Sequence, residues 1–174
     1  ELSKSFTVGE LNTILGNTMF LTPGRRVNLQ ARVTSSLGQN AVALASNVVA
    51  FTATPYAPPP KVELPSSGNL YIVGNATPGD WNNPVPVPSQ VFTKKSATEY
   101  EITLQLLGAG KYYLFLPVNG SWDKKYGVPD NALSGVENGG TFSSGSKDIP
   151  APAAPGTYKI SVDFQKGLFT VVKQ

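Results

Sequence analysis

The two tryptophans of the chain occupy polar, turn-forming sequence: Trp81 in Thr77-Pro-Gly-Asp-Trp-Asn-Asn-Pro84 and Trp122 in Asn119-Gly-Ser-Trp-Asp-Lys-Lys-Tyr126. An indole flanked by Asp, Asn, Gly and Lys is hard to bury. Exposed, it offers a flat apolar face in need of a partner. One face of a pyranose ring is a patch of C–H bonds that packs on such a surface, while the hydroxyls on the sugar rim need donors and acceptors close by. Asn119, Asp123, Lys124, Lys125 and Tyr126 supply those groups within a few residues of Trp122. The pattern points to a glycan platform carried on loops.

Other chemistries are narrowed by composition. The 174 residues include no Cys and no His, so thiol nucleophiles, disulfides, imidazole bases and thiolate zinc sites are excluded within the chain. A glycosidase needs two carboxylates flanking a cleft. Asp80, Asp123, Asp130 and Glu137 lie in loop sequence, but no two form a recognisable motif, and the expectation is no enzyme activity. Asp123, Asp130 and Asn131 lack the alternating acidic spacing of a calcium loop and read as solvated groups; no metal and no cofactor are expected. Asn75-Ala-Thr77 and Asn119-Gly-Ser121 match the glycosylation sequon, a frequent chance match, and modification of Asn119 would obstruct a platform at Trp122. Net charge is +3 and only 14% of residues are charged, with the Lys and Arg pairs scattered, so no nucleic-acid partner is expected. No apolar run approaches the roughly 18 residues of a membrane helix.

Positioning such loops is a task for β structure, which the 17 Gly and 15 Pro also favour. The run Pro58-Pro59-Pro60 divides the chain, since consecutive prolines cannot donate to a sheet ladder and favour polyproline II. Residues 1–57 form one segment, 58–64 a proline-rich linker and 65–174 a second segment. In the first, Thr7-Val8-Gly9-Glu10 is a capping box that predicts a short helix over about 8–15. Arg26–Ser35 and Ala43–Thr54 predict two strands. One helical turn and two strands cannot bury a core alone, so this segment is expected to be the tail of a larger β domain.

The second segment is better patterned. Leu70–Gly74 predicts a short apolar strand. Glu99–Leu106 alternates, with Tyr100, Ile102, Leu104 and Leu106 inward, as does Thr157–Phe164, with Tyr158, Ile160, Val162 and Phe164 inward. Lys111–Pro117 is apolar on both faces, as a central strand would be, and places Tyr112 in the core beside Leu114 and Leu116. Leu168–Val172 closes the set. Short strands with frequent turn signals predict an all-β, antiparallel β-sandwich. Residues 75–95 and 118–150, which hold both tryptophans, are long loops, and loops of that length are usually functional.

Three stretches carry a family likeness. Leu70-Tyr-Ile-Val-Gly-Asn-Ala-Thr-Pro-Gly-Asp-Trp81 resembles the opening strand and loop of the SusE/SusF-type starch-binding outer-membrane lipoproteins. Phe115-Leu-Pro-Val-Asn-Gly-Ser-Trp-Asp-Lys-Lys-Tyr-Gly127 resembles the later loop of the same module. Ser46-Asn-Val-Val-Ala-Phe-Thr-Ala-Thr-Pro-Tyr56 is similar to the last strand and exit of that family's amino-terminal immunoglobulin-like domain. The resemblance implies a β-sandwich glycan-binding module preceded by a truncated immunoglobulin-like β domain. It implies a surface-exposed protein, lipid-anchored in its full-length precursor, that holds polysaccharide, with α-glucan favoured, near an outer-membrane uptake complex. Trp81 and Trp122 would be the aromatic arc, and Lys124 or Lys125 with Asn119 the polar contacts. The competing expectation is a structural or adhesive immunoglobulin-like spacer that contacts another protein.

Overall fold

A computed structural model describes residues 4–35 and 42–174. Residues 1–3 and 36–41, both inside the first predicted segment, lie outside the described residues. The chain divides into two compact units, Glu1–Pro58 and Pro59–Gln174, so the boundary falls within the proline run.

The first unit opens on α1 (Val8–Thr13), and both halves of the predicted capping box are made: the Glu10 N–H donates to Thr7 Oγ1 at 3.2 Å and the Thr7 N–H donates to Glu10 Oε2 at 2.8 Å. The helix widens into a π turn over Ile14–Thr18, where Leu15 is buried. Asn12 pins it to the end of the unit, accepting from the Tyr56 N–H at 2.8 Å and donating to the Tyr56 carbonyl at 2.9 Å. Each predicted strand is broken in two: β1 (Val27–Ala31), β2 (Thr34–Ser35), β3 (Leu44–Ala45) and β4 (Val49–Ala53), with β1 antiparallel to β4 and β2 to β3. The break is local. The Ser46 N–H still donates to the Val33 carbonyl at 2.9 Å, but the Val33 N–H donates to Ser46 Oγ at 3.0 Å, and that hydroxyl donates to the Asn47 carbonyl at 2.8 Å, so a side chain takes the place of one backbone acceptor. Val33, Val48, Val49 and Phe51 remain exposed among the described residues.

The second unit is an antiparallel sandwich. Its strands are β5 (Tyr71–Val73), β6 (Thr93–Lys94), β7 (Glu99–Leu106), β8 (Tyr112–Leu116), β9 (Tyr126–Gly127), β10 (Gly139–Thr141), β11 (Ser143–Ser144), β12 (Ile149–Pro150), β13 (Gly156–Asp163) and β14 (Leu168–Lys173). One sheet runs β10-β14-β13-β7-β6; the other runs β11-β9-β8-β12, with β5 also on β8. The alternation in β7 and β13 puts Ile102, Ile160 and Val171 in register across three strands, all inward. Ile72, Tyr113, Phe115 and Tyr126 meet them from the other sheet. The core between the sheets is aromatic and edge-to-face: Phe115 lies 6.1 Å from Phe169, and Tyr126 lies 5.2 Å from Phe164.

Of the stretch read as a linker, 58–64, the later residues lie on the sandwich. The Val62 N–H donates to the Phe164 carbonyl at 3.2 Å, and the Val62 side chain joins the core.

Candidate functional site

β8 is buried on both faces for most of its length, as its composition predicts, but by two different layers. Tyr113 and Phe115 point into the core between the sheets. Leu114 and Leu116 point outward and are covered by Val73 and Val85, a small apolar cluster separate from the main core, with Tyr71 packed beside it. Val85 belongs to the loop that follows Trp81, so that loop is folded back over the outer face of the sheet. Its cover does not extend to Tyr112, which is 38% exposed at the start of the strand. Tyr112 is on the face that alternation assigns it, but that face is bare at this end, and it is not a core residue.

The Trp81 turn is set by a buried amide. Gln90 Nε2 donates to the Ile72 carbonyl at 2.6 Å, and Gln90 Oε1 accepts from the Gly79 N–H at 2.8 Å. A Cβ on Gly79 would overlap that Oε1 and crowd the Pro86 ring, so only glycine fits. Asp80 follows at φ 53, in the left-handed region that Asp tolerates, and its Oδ1 accepts from the Trp81 N–H at 2.9 Å. Trp81 emerges from this turn 36% exposed.

The Trp122 loop is laced to the Trp81 loop by two asparagines. Asn83 Oδ1 accepts from the Gly120 N–H at 2.6 Å and Asn83 Nδ2 donates to the Ser121 carbonyl at 3.1 Å. Asn119 Oδ1 accepts from the Val85 N–H at 2.7 Å and Asn119 Nδ2 donates to the Val85 carbonyl at 3.3 Å. Around Trp122 itself, Ser121 Oγ accepts from the Asp123 N–H at 3.1 Å and donates to Asp123 Oδ2 at 2.9 Å. Trp122 stands 48% exposed. Both indoles thus reach solvent from two loops bonded to each other.

Beside Asp123, which is bonded to Ser121, the other four predicted polar residues separate by role. Asn119 spends its amide on the Val85 backbone. Lys124 Nζ sits 2.7 Å from Glu63 Oε2. Lys125 is half-buried, and its amine makes no ion pair among the described residues. Tyr126 is fully buried in β9 opposite Phe115, and its hydroxyl donates to the Glu63 carbonyl at 2.9 Å. Burial, and then the Glu63 carboxylate, pushes that hydroxyl up to about 12. A ring walled in by Phe142 and Phe164 has no face for a ligand, so Tyr126 is a core residue and not part of a binding surface.

Sequence reading missed Asn83, Val85 and Gln90. Nothing local marks them; each acts on a partner brought near only by the fold. Asp130 is held below the usual range by Lys147, whose Nζ is 3.0 Å away, the reverse of what a general acid requires. Among the described residues no three of Asp, Glu, His and Cys gather as a metal site, and no helix is long and apolar enough to cross a membrane.

The second unit is an all-β sandwich from which two hydrogen-bonded loops each present an exposed indole. No protein-family model and no curated protein matches the chain. Among solved structures, the chain is similar to SusF from Bacteroides thetaiotaomicron, at 18% identity and a TM-score of 0.44, over 94% of this chain and 36% of that one. The chain therefore spans about a third of the length of SusF.

Proposed function

We propose that the second unit is a non-catalytic polysaccharide-binding module, with starch or a related α-glucan as ligand and Trp81 and Trp122 as the stacking surface. The observation that carries the reading is the pair of loops bonded through Asn83 and Asn119, each presenting an exposed indole. Stacking rings on a surface held in place beforehand loses little conformational freedom on binding, which suits a weak, repeated interaction with a polymer. Two such contacts at about 1–2 kcal/mol each, with a few net hydrogen bonds of about 1 kcal/mol, give micromolar to millimolar affinity. Lys125 is the cation available to sugar hydroxyls. Asn119 and Lys124 support the site through Val85 and Glu63.

In this reading the first unit is part of an immunoglobulin-like domain, and the full-length precursor is a lipid-anchored protein of the bacterial outer membrane that captures glycan at the cell surface for an uptake complex. The sequence likeness to the SusE/SusF-type lipoproteins supports that setting. A second reading, an adhesive spacer that contacts another protein, draws on the exposed Val33, Val48, Val49 and Phe51 of the first unit.

The test is affinity electrophoresis in gels containing amylopectin, with Trp122→Ala beside the unmodified chain. The expected result is retardation of the unmodified chain, loss of retardation in the variant and an unchanged Tm. Retardation equal in both, or a variant that unfolds, overturns the platform.

A further inference from the structure

Trp81, Tyr112 and Trp122 are the exposed aromatic residues described in the second unit; every other Phe, Tyr and Trp there is buried or half-buried. The backbones of Tyr112 and of the Trp81 turn meet. The Tyr112 N–H donates to Asn75 Oδ1 at 2.7 Å, and the Tyr112 carbonyl accepts from the Ala76 N–H at 3.0 Å. One residue earlier, the Gly74 N–H donates to the Asp80 carbonyl at 3.0 Å, next to Trp81. Gly74, at φ 146, also lies so close that a Cβ there would overlap the Tyr112 carbonyl. Residue 112 and the Trp81 turn are therefore docked on one tripeptide, 74–76.

The same outer face leads to the other indole. Tyr112 alternates with Leu114 and Leu116, which pack under Val85, and Val85 is held on both sides by Asn119, three residues before Trp122. The Tyr112 hydroxyl makes no hydrogen bond among the described residues. It thus combines an exposed ring with a free donor and acceptor, the combination that stacks on a sugar and bonds its rim.

We propose that Tyr112 is a third aromatic contact of the glycan platform, forming a subsite for a further sugar unit of the polysaccharide chain. This rests on the platform reading above, and its consequence is a dependence of affinity on ligand length. A chain long enough to reach Tyr112 gains one more stacking contact than a short one.

The test is calorimetric titration with maltotriose and maltoheptaose on the unmodified chain, Tyr112→Ala, Tyr112→Phe and Trp122→Ala. The expected result is that Tyr112→Ala weakens maltoheptaose about tenfold, leaves maltotriose within about twofold, and keeps its Tm. Tyr112→Phe retains most of the length dependence. Equal affinities for both sugars in Tyr112→Ala and the unmodified chain overturn the subsite and leave the platform standing. Trp122→Ala that binds both sugars normally, or an unmodified chain that binds neither, overturns the platform and the subsite with it. Should Tyr112→Ala fail to fold, nitration of the unmodified chain by tetranitromethane decides. Maltoheptaose should slow nitration of Tyr112 several-fold while Tyr56, exposed in the first unit, reacts unchanged; equal rates at Tyr112 with and without the sugar overturn the subsite.

Discussion

Asn119 grips Val85 by both backbone polar groups, accepting from its N–H at 2.7 Å and donating to its carbonyl at 3.3 Å. The contact spans 34 residues and holds the Val85 side chain down on Leu114 and Leu116. Asn119→Ala leaves both Val85 groups without a protein partner, and the expected loss is about 1–3 kcal/mol by urea denaturation, with weaker retention on amylopectin. A variant that loses retention at unchanged stability would make Asn119 a direct sugar contact instead of a clasp.

Gly79 tests the Trp81 turn from the opposite side. The added methyl of Gly79→Ala meets Gln90 Oε1 and the Pro86 ring, both held in place, so about 1–3 kcal/mol should be lost to overpacking. The Trp81 emission spectrum should shift with it, because the turn that carries the indole must move. An unchanged denaturation midpoint would show that the loop is soft.

The two adjacent lysines should behave differently. Lys124→Ala removes a solvent-accessible pair with Glu63 and is expected to alter stability by less than about 1 kcal/mol, with binding nearly retained. Lys125→Ala should leave stability alone and lower affinity for the glycan severalfold. Titration of both variants with one oligosaccharide separates them, and reversal of the order would move the ligand toward Glu63.

Tyr126 predicts a response to alkali. Its hydroxyl is raised from the ordinary 10.0 to about 12 in the folded protein, so the unfolded chain gives up this proton first as pH rises. The stability this group contributes is complete below pH 10 and is lost as pH climbs through about 12. Tyr126→Phe should lose about 1 kcal/mol at neutral pH with its hydrogen bond to the Glu63 carbonyl. It should also flatten the fall in Tm across that alkaline window, with glycan binding unaffected.

The strands could be read where one strand's own pattern decides the face. Alternation in Glu99–Leu106 and Thr157–Phe164 names the inward residues correctly, because a half-buried strand writes its period locally. Tyr126 was illegible for the opposite reason: it follows two lysines in loop-like sequence, yet a two-residue strand pairs it with Phe115 and turns it inward. Tyr112 shows that the right face is not the same as burial, since what covers a face comes from elsewhere in the chain. The exposed indoles could be inferred from their polar neighbours. The asparagine clasp between their loops could not, because a carboxamide's partner at a separation of 34 residues leaves no mark in its own surroundings.

Val73, Val85, Leu114 and Leu116 form an apolar knot outside the main core of the sandwich, beneath the loops that bear the rings. If the rings bind glycan as proposed, recognition and foldability are mounted on different layers. On that proposal, rings and loop residues above the knot could be exchanged to suit another polymer without disturbing the stack of phenylalanines and tyrosines between the sheets.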